Sequence, residues 1–417
     1  RDMHYEMEQE EHDVYPDDPD FDINKARLVT TAPRICVRYE CVPMRFIKHV
    51  YKIHTYAQDG RLFEGKTPVS AFLNSSYDGS FIAGLMELRY IQSLPVERII
   101  NYFESHGFTL KKPTAHKLME KASSLFENLY KCIRQTALSD PYKAADETYY
   151  KILVPEKNSK GKGVRKGYLW VVVGINTRMI YLLYDDGSRS EKVILNELGG
   201  CKGIIQSDGY SPYRKLESDA YPHITRIPCL QHIKRKFIDC GEDDPDAKRI
   251  VEMINTLYQN EHKHKIGVDG WTVEQNLVHR KKYAPDILGE IKDVLDDIEE
   301  RGDLLPKSEL KEAITYLRNE WNAVVDIFNY GDTYLDNNIV ERMNRYISLS
   351  RKNSLFFGSH KGAERGAILY TIALTCRMNK VNLFEYLTDV INRTAEWQPN
   401  TPLEKYRLLL PDRLGKG

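Results

Sequence analysis

A change in hydrophobic period near residue 143 constrains the fold more than any other feature of this 417-residue chain. Upstream, residues 78–140 place apolar side chains at helical spacing, and Val96–Ser105 and residues 113–138 are the clearest predicted helices. Downstream, segments rich in Val, Ile, Leu and Tyr alternate with turn residues: Ala144–Val154, Tyr168–Ile175 and Met179–Tyr184. Three strands joined by short connections predict an antiparallel meander.

Helices and strands then alternate up to residue 238. The predicted elements are a helix at Ser190–Leu198, a strand at Gly203–Gln206, a helix at Tyr213–Ser218, a strand at Thr225–Cys229 and a helix at Leu230–Ile238. The resulting order, βββ-α-β-α-β-α, is that of a ribonuclease H-like fold. We therefore predict an α/β fold class, with a mixed sheet flanked by helices across residues 141–240.

The remaining C-terminal half has only helical periodicity. Ala247–Tyr258 and Pro285–Glu300 are periodic, and no strand-like run occurs nearby, which predicts an all-helical insertion over residues 241–330. Residues 331–417 are predicted to return to the core as C-terminal helices, including Ala363–Arg377 and Leu383–Arg393.

The N-terminal region differs in charge from the rest of the chain. Residues 1–24 hold ten acids and one base, which predicts an acidic disordered tail. Residues 25–417 hold 59 bases against 50 acids, so a neutral total conceals a mildly basic body that suits a nucleic-acid partner. Because the chain begins with Arg1 and not Met, we expect a fragment or a trimmed product.

Residues 25–70 alternate in the manner of a small β-rich unit, and residues 71–140 form a helical region. Two predicted helices around Gly107, with Lys111, Lys112, His116 and Lys117 at the start of the second, resemble a DNA-binding helix-turn-helix. An ordinary helical hairpin explains the same pattern equally well.

Three acids occupy predicted elements that could bring them together. Asp146 lies in the first strand, Asp208 at the end of the fourth, and Glu341 on a later helix. Converging carboxylates hold the hard cations used in phosphoryl transfer. Each acid also has a simpler reading, because Asp before Gly209 is a common turn former and one Glu among arginines is often a solvated side chain. Glu147 is an alternative to its neighbour Asp146 as a ligand.

Glu341 belongs to the stretch Thr333–Gly358, which predicts a helix through Ile347. Thr333 followed by Asp336 resembles a capping box. Leu335, Ile339, Met343 and Tyr346 or Ile347 form the predicted apolar stripe, and Asn337, Glu341 and Arg345 form a second, polar face.

Basic and polar residues flank these acids and are the predicted DNA contacts. They are His232, Lys234, Arg235 and Lys236 on one helix, and Arg342, Arg345, Arg351, Lys352 and Asn353 beside Glu341. His232 could instead be a structural histidine. A metal-ligand role for His232 is the less favoured interpretation, because no second His or Cys lies at ligand spacing.

Composition argues against several other classes of protein. The seven cysteines include no C-x-x-C pair, so neither a disulfide framework nor a zinc knuckle is expected, and reduced thiols suit a cytoplasmic protein. The most apolar run, Tyr168–Tyr184, is interrupted by Gly174, Asn176 and Arg178 and is not expected to cross a membrane.

Several ordered motifs carry a family resemblance. They are ADET at Ala145–Thr148, QSDGYSPY at Gln206–Tyr213, CLQHIKRKF at Cys229–Phe237, and DNN-x-x-ER followed by RKNSLFFGS-x-x-GAERGAILY. Together they resemble the insertion sequence 66 family of bacterial transposases, from about Ser75 to Arg393. The chain departs from the family at residues 54–57, where a cysteine pair of a zinc module would be expected, so we predict no structural zinc.

The resemblance implies a DDE triad of Asp146, Asp208 and Glu341. It implies two Mg²⁺ ions as cofactor, with Mn²⁺ as a substitute, and cleavage at element ends followed by strand transfer of the 3′-hydroxyl. The implied partners are terminal-repeat and target DNA, further copies of the chain on DNA, and element-encoded accessory proteins. Two alternatives stay open: a structure-selective nuclease on the same fold, and a non-catalytic DNA-binding remnant, which the presence of all three acids disfavours.

Overall fold

The computed structural model describes residues 44–50, 52, 55–58, 61–64, 72, 75–157, 161, 163–241, 243–302, 304–398 and 400–414. The predicted acidic tail and most of residues 25–70, including Cys36, Cys41 and His54, lie outside this part. Contacts divide the chain into residues 1–47 and residues 48–417, and the second unit is the one discussed below. Near the start of this second unit, β1 (Thr55–Gln58) and β2 (Arg61–Glu64) form an antiparallel pair.

Helices precede the sheet, as predicted. They are α1 (Gly79–Tyr90), α2 (Val96–Ser105), α3 (Lys112–Leu125) and α4 (Glu127–Ser139). The predicted single helix over residues 113–138 is wrong, because Phe126 leaves helical geometry at φ −90° and ψ 3° and separates α3 from α4. The Phe126 ring is buried, so the break turns a large apolar side chain into the core.

A five-stranded mixed sheet forms the centre of the described chain. Its strands are β3 (Tyr142–Leu153), β4 (Val164–Gly174), β5 (Met179–Leu183), β6 (Gly203–Ser207) and β7 (Ile224–Pro228). The spatial order is β5-β4-β3-β6-β7, with β3, β4 and β5 antiparallel and β6 and β7 parallel to β3. The predicted meander is confirmed, and so is the adjacency of the first and fourth strands.

Short helices connect the later strands. They are α5 (Glu191–Leu198), α6 (Ser211–Arg214) with a 3-10 turn at Lys215–Glu217, and α7 (Leu230–Ile238). Ser190 caps α5 by accepting a hydrogen bond from the amide of Lys192. Buried side chains such as Trp170, Val172 and Tyr181 fill the interior against the central strands.

Three helices follow in the region predicted to be helical: α8 (Pro245–Glu261), α9 (Val273–Arg301) and α10 (Glu309–Ile327). No strand occurs among the described residues of 241–330. Their apolar side chains share one buried cluster with β7 and α7, in which Ile233 and Phe237 meet residues such as Ile254. This helical segment is therefore packed on the α/β part of the chain.

The C-terminal helices are α11 (Asn338–Asn353), α12 (His360–Met378), α13 (Leu383–Thr394), α14 (Leu403–Arg407) and α15 (Pro411–Leu414). Among the residues that the structure describes, no helix combines the length and apolar character needed to span a membrane.

The predicted start of α11 is wrong. Thr333 is buried before the helix, where its hydroxyl donates to the Ile327 carbonyl at 2.9 Å and accepts from the Arg280 guanidinium at 2.7 Å. This buried arginine of α9 occupies the hydroxyl that the capping box would have used, and the N-cap is Asn337, four residues later.

The predicted apolar stripe is confirmed at Leu335, just before α11, and at Ile347, which are both buried, but it is displaced between these two positions. The buried positions are Val340, Asn344, Ile347 and Ser350, whereas Ile339 and Met343 are only partly buried. The reason is that a polar residue, Asn344, faces the sheet and satisfies a strand carboxylate, which a search for apolar periodicity cannot detect.

Candidate active site

Asp146 and Asp208 lie at matching positions on neighbouring parallel strands. The register of β3 and β6 pairs Ala144 with Gln206. Asp146 lies two residues after Ala144, and Asp208 lies two residues after Gln206. Side chains two positions apart on a strand point to the same face, so this register directs both carboxylates to one face near the end of β6. Asp208 itself lies just beyond the last residue of β6.

The electrostatics of Asp146 fit this arrangement. The pKa of Asp146 is raised to about 8. Burial is the largest cause, and the negative charges of Glu147 and Asp208 add to it. Opposing contributions come from the amide of Glu147 and from the side chain of Asn344, which both donate to its carboxylate. The described residues supply no ion pair to Asp146.

Glu147 has different partners. Its carboxylate accepts hydrogen bonds from the Arg189 guanidinium at 3.0 Å and from the Tyr213 hydroxyl at 3.3 Å. Burial raises the pKa of Glu147, and the Arg189 hydrogen bond opposes that rise. Glu147 is thus charge-compensated by the chain itself, whereas Asp146 is not.

Two amides dock α11 on β3 and thereby position Glu341. Asn337, immediately before the helix, donates to the Ala145 carbonyl at 3.0 Å, and Asn344 donates to Asp146 Oδ2 at 2.6 Å. Glu341 lies between them, four residues after the first and three before the second, so all three project from the same side of the helix. Glu341 consequently projects from the side of α11 that is docked on β3.

The chain after α11 is also fixed to β3. The amide of Phe357 donates to the Lys151 carbonyl at 2.8 Å, and the amide of Leu153 donates to the Phe357 carbonyl at 2.9 Å. A helix held at both ends along a strand has little freedom to rotate. The position of Glu341 relative to Asp146 is therefore set by backbone contacts as well as by the two amides.

Glu341 has a second group of neighbours on α7. Its Oε1 lies 3.6 Å from His232 Nδ1, and these two atoms are buried without a hydrogen-bond partner in the described chain. Cys229 lies three residues before His232, and ligand atoms of Cys229, His232 and Glu341 all fall within 4.8 Å of one another. Cys229 is therefore a second residue at ligand spacing from His232, and the prediction that none exists is wrong.

The backbone around Asp208 is supported from the helical segment. The Tyr316 hydroxyl of α10 accepts a hydrogen bond from the Gly209 amide at 2.8 Å, and a Cβ on Gly209 would lie 2.4 Å from that oxygen. Arg226 of β7 is fully buried, donates to the Asp208 carbonyl at 3.2 Å and forms an ion pair with Glu320 of α10. Glycine is needed at position 209 because the backbone lies too close to the Tyr316 hydroxyl to admit a Cβ, whatever its role in the turn.

The predicted basic contacts fall into two groups. Arg235 and Lys236 on α7 and Arg342, Arg345, Lys352 and Asn353 on α11 are exposed. Arg351 and Lys234 are partly buried: Arg351 stacks on the Tyr149 ring at 4.0 Å and donates to the Tyr149 carbonyl at 2.7 Å. Asn353 donates to the Ser93 carbonyl at 3.2 Å. Arg351 and Asn353 thus also hold the chain together.

The residues at this place fit a divalent cation. The Asp208 carboxylate is close enough to raise the pKa of both Asp146 and Glu147, and the cation of the described chain that pairs with a carboxylate of this group is Arg189, on Glu147. Glu341 has a buried unpartnered oxygen on the docked helix α11, but its ligand atoms lie beside Cys229 and His232, the group that the described chain brings within 4.8 Å. Clustered carboxylate oxygens with surplus negative charge are the donor set of Mg²⁺ and Mn²⁺. The fold and site thus define a class of α/β proteins with a mixed sheet, acids at the ends of adjacent strands and a further acid on a helix docked beside them.

Sequence comparison gives the family. A profile described as "Transposase IS66 family" matches residues 74–365, so the chain belongs to the IS66 family of transposases. It is similar to three proteins of Sinorhizobium fredii (strain NBRC 101917 / NGR234), named uncharacterized proteins y4jD, y4qI and y4hP, at 26%, 26% and 24% identity. The matches cover 79%, 88% and 93% of this chain, and the chain spans 64%, 69% and 75% of those relatives.

Proposed function

We propose that this chain is a DDE transposase that cuts DNA at the ends of a transposable element and joins the freed 3′-hydroxyl to target DNA. Family membership supports a transposase, and the arrangement of Asp146, Asp208 and Glu341 carries the assignment of the reaction centre. In this interpretation the five-stranded sheet is a ribonuclease H-like core, and residues 241–330 are a helical insertion between the second and third acids.

Asp146, Asp208 and Glu341 would hold two Mg²⁺ ions, or Mn²⁺ in their place. Such ions, when bound, activate the attacking oxygen and stabilise the leaving oxygen of an in-line displacement at phosphorus. The chain's own contribution is positioning: Asn344 orients the Asp146 carboxylate, Asn337 sets the height of α11 on β3, and Tyr316 fixes the turn after Asp208.

DNA would run over the exposed bases of α7 and α11. Arg235, Lys236, Arg342, Arg345 and Lys352 neutralise backbone phosphates on either side of the acids, as phosphate contacts do in sequence-independent binding. His232 lies 3.6 Å from Glu341, and Lys234, on the same helix as His232, lies over the Tyr258 ring. Arg351 and Asn353 contribute through the fold as well as through DNA contact. Residues 71–140 are proposed as a helix-turn-helix-like region that reads the element ends. Synapsis of two element ends implies more than one copy of the chain on DNA. Element-encoded accessory proteins are further proposed partners, and the proposed location is the bacterial cytoplasm.

The decisive experiment is a cleavage and joining assay with the ends of the element that encodes the chain. In Mg²⁺, the wild-type protein should nick at the element boundary and produce joined products, whereas Glu341→Gln should bind the same DNA and neither cut nor join. Glu364→Gln is the matched control, because Glu364 is exposed on α12 and its charge acts on Tyr130 and Tyr184, away from β3.

The outcomes separate the alternatives. Cutting without joining would replace the proposal with a structure-selective nuclease, and binding without cutting by the wild-type protein would indicate a non-catalytic remnant. Cleavage by Glu341→Gln at near wild-type rate would remove Glu341 from the triad.

A further inference from the structure

We propose that Cys229, His232 and Glu341 form a binding site for a soft divalent cation of the Zn²⁺ type, and that its occupation inhibits the reaction by withdrawing Glu341 from the other acids. The inhibitory part rests on the proposed function, since it requires Glu341 to work with Asp146 and Asp208. The binding part stands on the geometry alone.

The three side chains are already close to ligand geometry. Their ligand atoms lie within 4.8 Å of one another, and His232 Nδ1 is 3.6 Å from Glu341 Oε1. Bonds of about 2.0–2.3 Å to a tetrahedral Zn²⁺ separate its ligand atoms by roughly 3.3–3.8 Å. Small side-chain rotations, without movement of the backbone, would therefore complete the site.

Two of these atoms have no other role in the fold. His232 Nδ1 and Glu341 Oε1 are buried and make no hydrogen bond within the described chain. A buried polar atom without a partner is unfavourable, so native proteins rarely keep two of them facing each other. A cation between the two atoms would satisfy both.

The local backbone holds the thiol at the same place. Cys229 is the N-cap residue of α7 and His232 lies in the first turn of that helix, so the C-x-x-H spacing brings both side chains to one end. The amide of Asn337 donates to Cys229 Sγ at 3.2 Å. This hydrogen bond comes from the residue that precedes α11, so it ties the sulfur to the element that carries Glu341. Burial raises the pKa of the Cys229 thiol and the Asn337 amide offsets only part of that rise, so the bound cation itself has to stabilise the thiolate.

The donor set distinguishes this site from the proposed Mg²⁺ site. Thiolate sulfur and imidazole nitrogen favour Zn²⁺, whereas Mg²⁺ prefers oxygen ligands alone. On binding, the Cys229 thiol loses its proton to the buffer and its sulfur takes one coordination position. His232 supplies a neutral nitrogen, Glu341 supplies an oxygen, and water completes the fourth position. No oxidation or reduction occurs.

Glu341 is shared by the two sites and cannot serve both fully. A carboxylate oxygen held against Cys229 and His232 is turned toward α7 and is lost to Asp146. Zn²⁺ at low concentration should therefore oppose Mg²⁺, and the opposition should depend on a cysteine that the proposed reaction does not use.

The binding test uses metal-free protein and Co²⁺ as a probe, because Co²⁺ bound by thiolate absorbs in the near ultraviolet. Wild-type protein should develop this absorption and lose it when Zn²⁺ is added. Cys229→Ser should lose the thiolate absorption and weaken Zn²⁺ affinity more than the roughly 10–100-fold typical of losing an outer partner. Cys240→Ser is the control, since Cys240 lies just past the other end of α7 and outside the cluster. Absorption that persists in Cys229→Ser, or is absent from folded wild-type protein, would overturn the site.

The inhibition test repeats DNA cleavage in Mg²⁺ with increasing Zn²⁺. The wild-type protein and Cys240→Ser should be inhibited, and Cys229→Ser should need at least roughly ten times more Zn²⁺ for the same inhibition. Equal inhibition of Cys229→Ser and wild type would refute the shared-ligand mechanism even if Co²⁺ binds. Absence of any Mg²⁺-dependent cleavage would refute the proposed function and with it the inhibition, while the Co²⁺ result would still decide the site.

Discussion

Replacing Asp146 by Asn should stabilise the metal-free protein, and the gain should grow with pH. Burial, together with the charges of Glu147 and Asp208, raises the pKa of Asp146 from 3.8 to about 8 in the folded chain. Between these two pH values the unfolded chain has released a proton that the folded chain retains. Raising the pH through this window therefore opposes folding, by about 1.4 kcal/mol per pH unit.

The magnitude follows from the size of that window. About four pKa units correspond to an upper limit of about 6 kcal/mol above pH 8, and no effect is expected below pH 4. Asn should recover about 2–4 kcal/mol of this at pH 8.5, because Asn344 then donates to a neutral oxygen and makes a weaker hydrogen bond. With an unfolding entropy near 2.1 cal/mol/K per residue over roughly 370 residues, 1 kcal/mol corresponds to about 1.3 °C in Tm.

Thermal unfolding in a chelator at pH 5.5, 7 and 8.5 measures the effect, with all variants heated at the same rate. The Tm of Asp146→Asn minus that of wild type should rise with pH and reach about 3–5 °C at pH 8.5. Mg²⁺ should then stabilise wild type and leave the variant unchanged, because the variant lacks a proposed ligand. A Tm difference that is constant from pH 5.5 to 8.5, or a variant less stable than wild type at pH 8.5, would refute the electrostatic reasoning. Glu364→Gln should shift the Tm little at any pH.

Three other changes have expected outcomes. Arg342→Gln with Arg345→Gln should flatten the slope of log K against log salt for DNA binding by roughly 1.8, about 0.9 for each lost phosphate contact, and an unchanged slope would place DNA elsewhere. Gly209→Ala should destabilise the protein by about 1–3 kcal/mol, since its Cβ would lie 2.4 Å from the Tyr316 hydroxyl oxygen, and a Tyr316→Ala background should reduce that loss in a double-mutant cycle. Arg280→Met should reduce the free energy of unfolding by about 3–5 kcal/mol, measured as a lower urea midpoint. It should also speed amide hydrogen exchange in residues 328–337, because the buried guanidinium donates to the carbonyls of Tyr330 and Thr333 in that segment. Slow exchange there in the variant would contradict this role.

The elements of the sheet and their order could be predicted because their signals are local. The helix of α7 begins and ends where the sequence predicts, and α2 does too. Strand β3 begins two residues before its predicted start and ends one residue before its predicted end. Strong apolar runs bounded by turn residues leave few alternatives for such segments. The adjacency of β3 and β6, on which the pairing of Asp146 with Asp208 depends, followed from the order of elements alone.

The start and orientation of α11 could not be predicted because their causes are distant in sequence. Thr333 is occupied by Arg280, which lies 53 residues upstream, and Asn344 is buried because Asp146 lies opposite. The sequence around α11 contains no feature from which Arg280 or Asp146 could be identified as these partners. Cys229 is a different case, since its spacing from His232 was visible and only its position beside Glu341 required the structure.

The long separation of the acids along the chain has a consequence for synthesis. A ribosome adds roughly 5–20 residues per second, so roughly 7–27 s pass between the appearance of Asp208 and that of Glu341. During that interval Asp146 has neither Asn344 as a donor nor the helix that carries the third acid. A nascent or prematurely ended chain that stops before α11 therefore contains two of the three proposed acids and cannot assemble the proposed site, however well its sheet has formed.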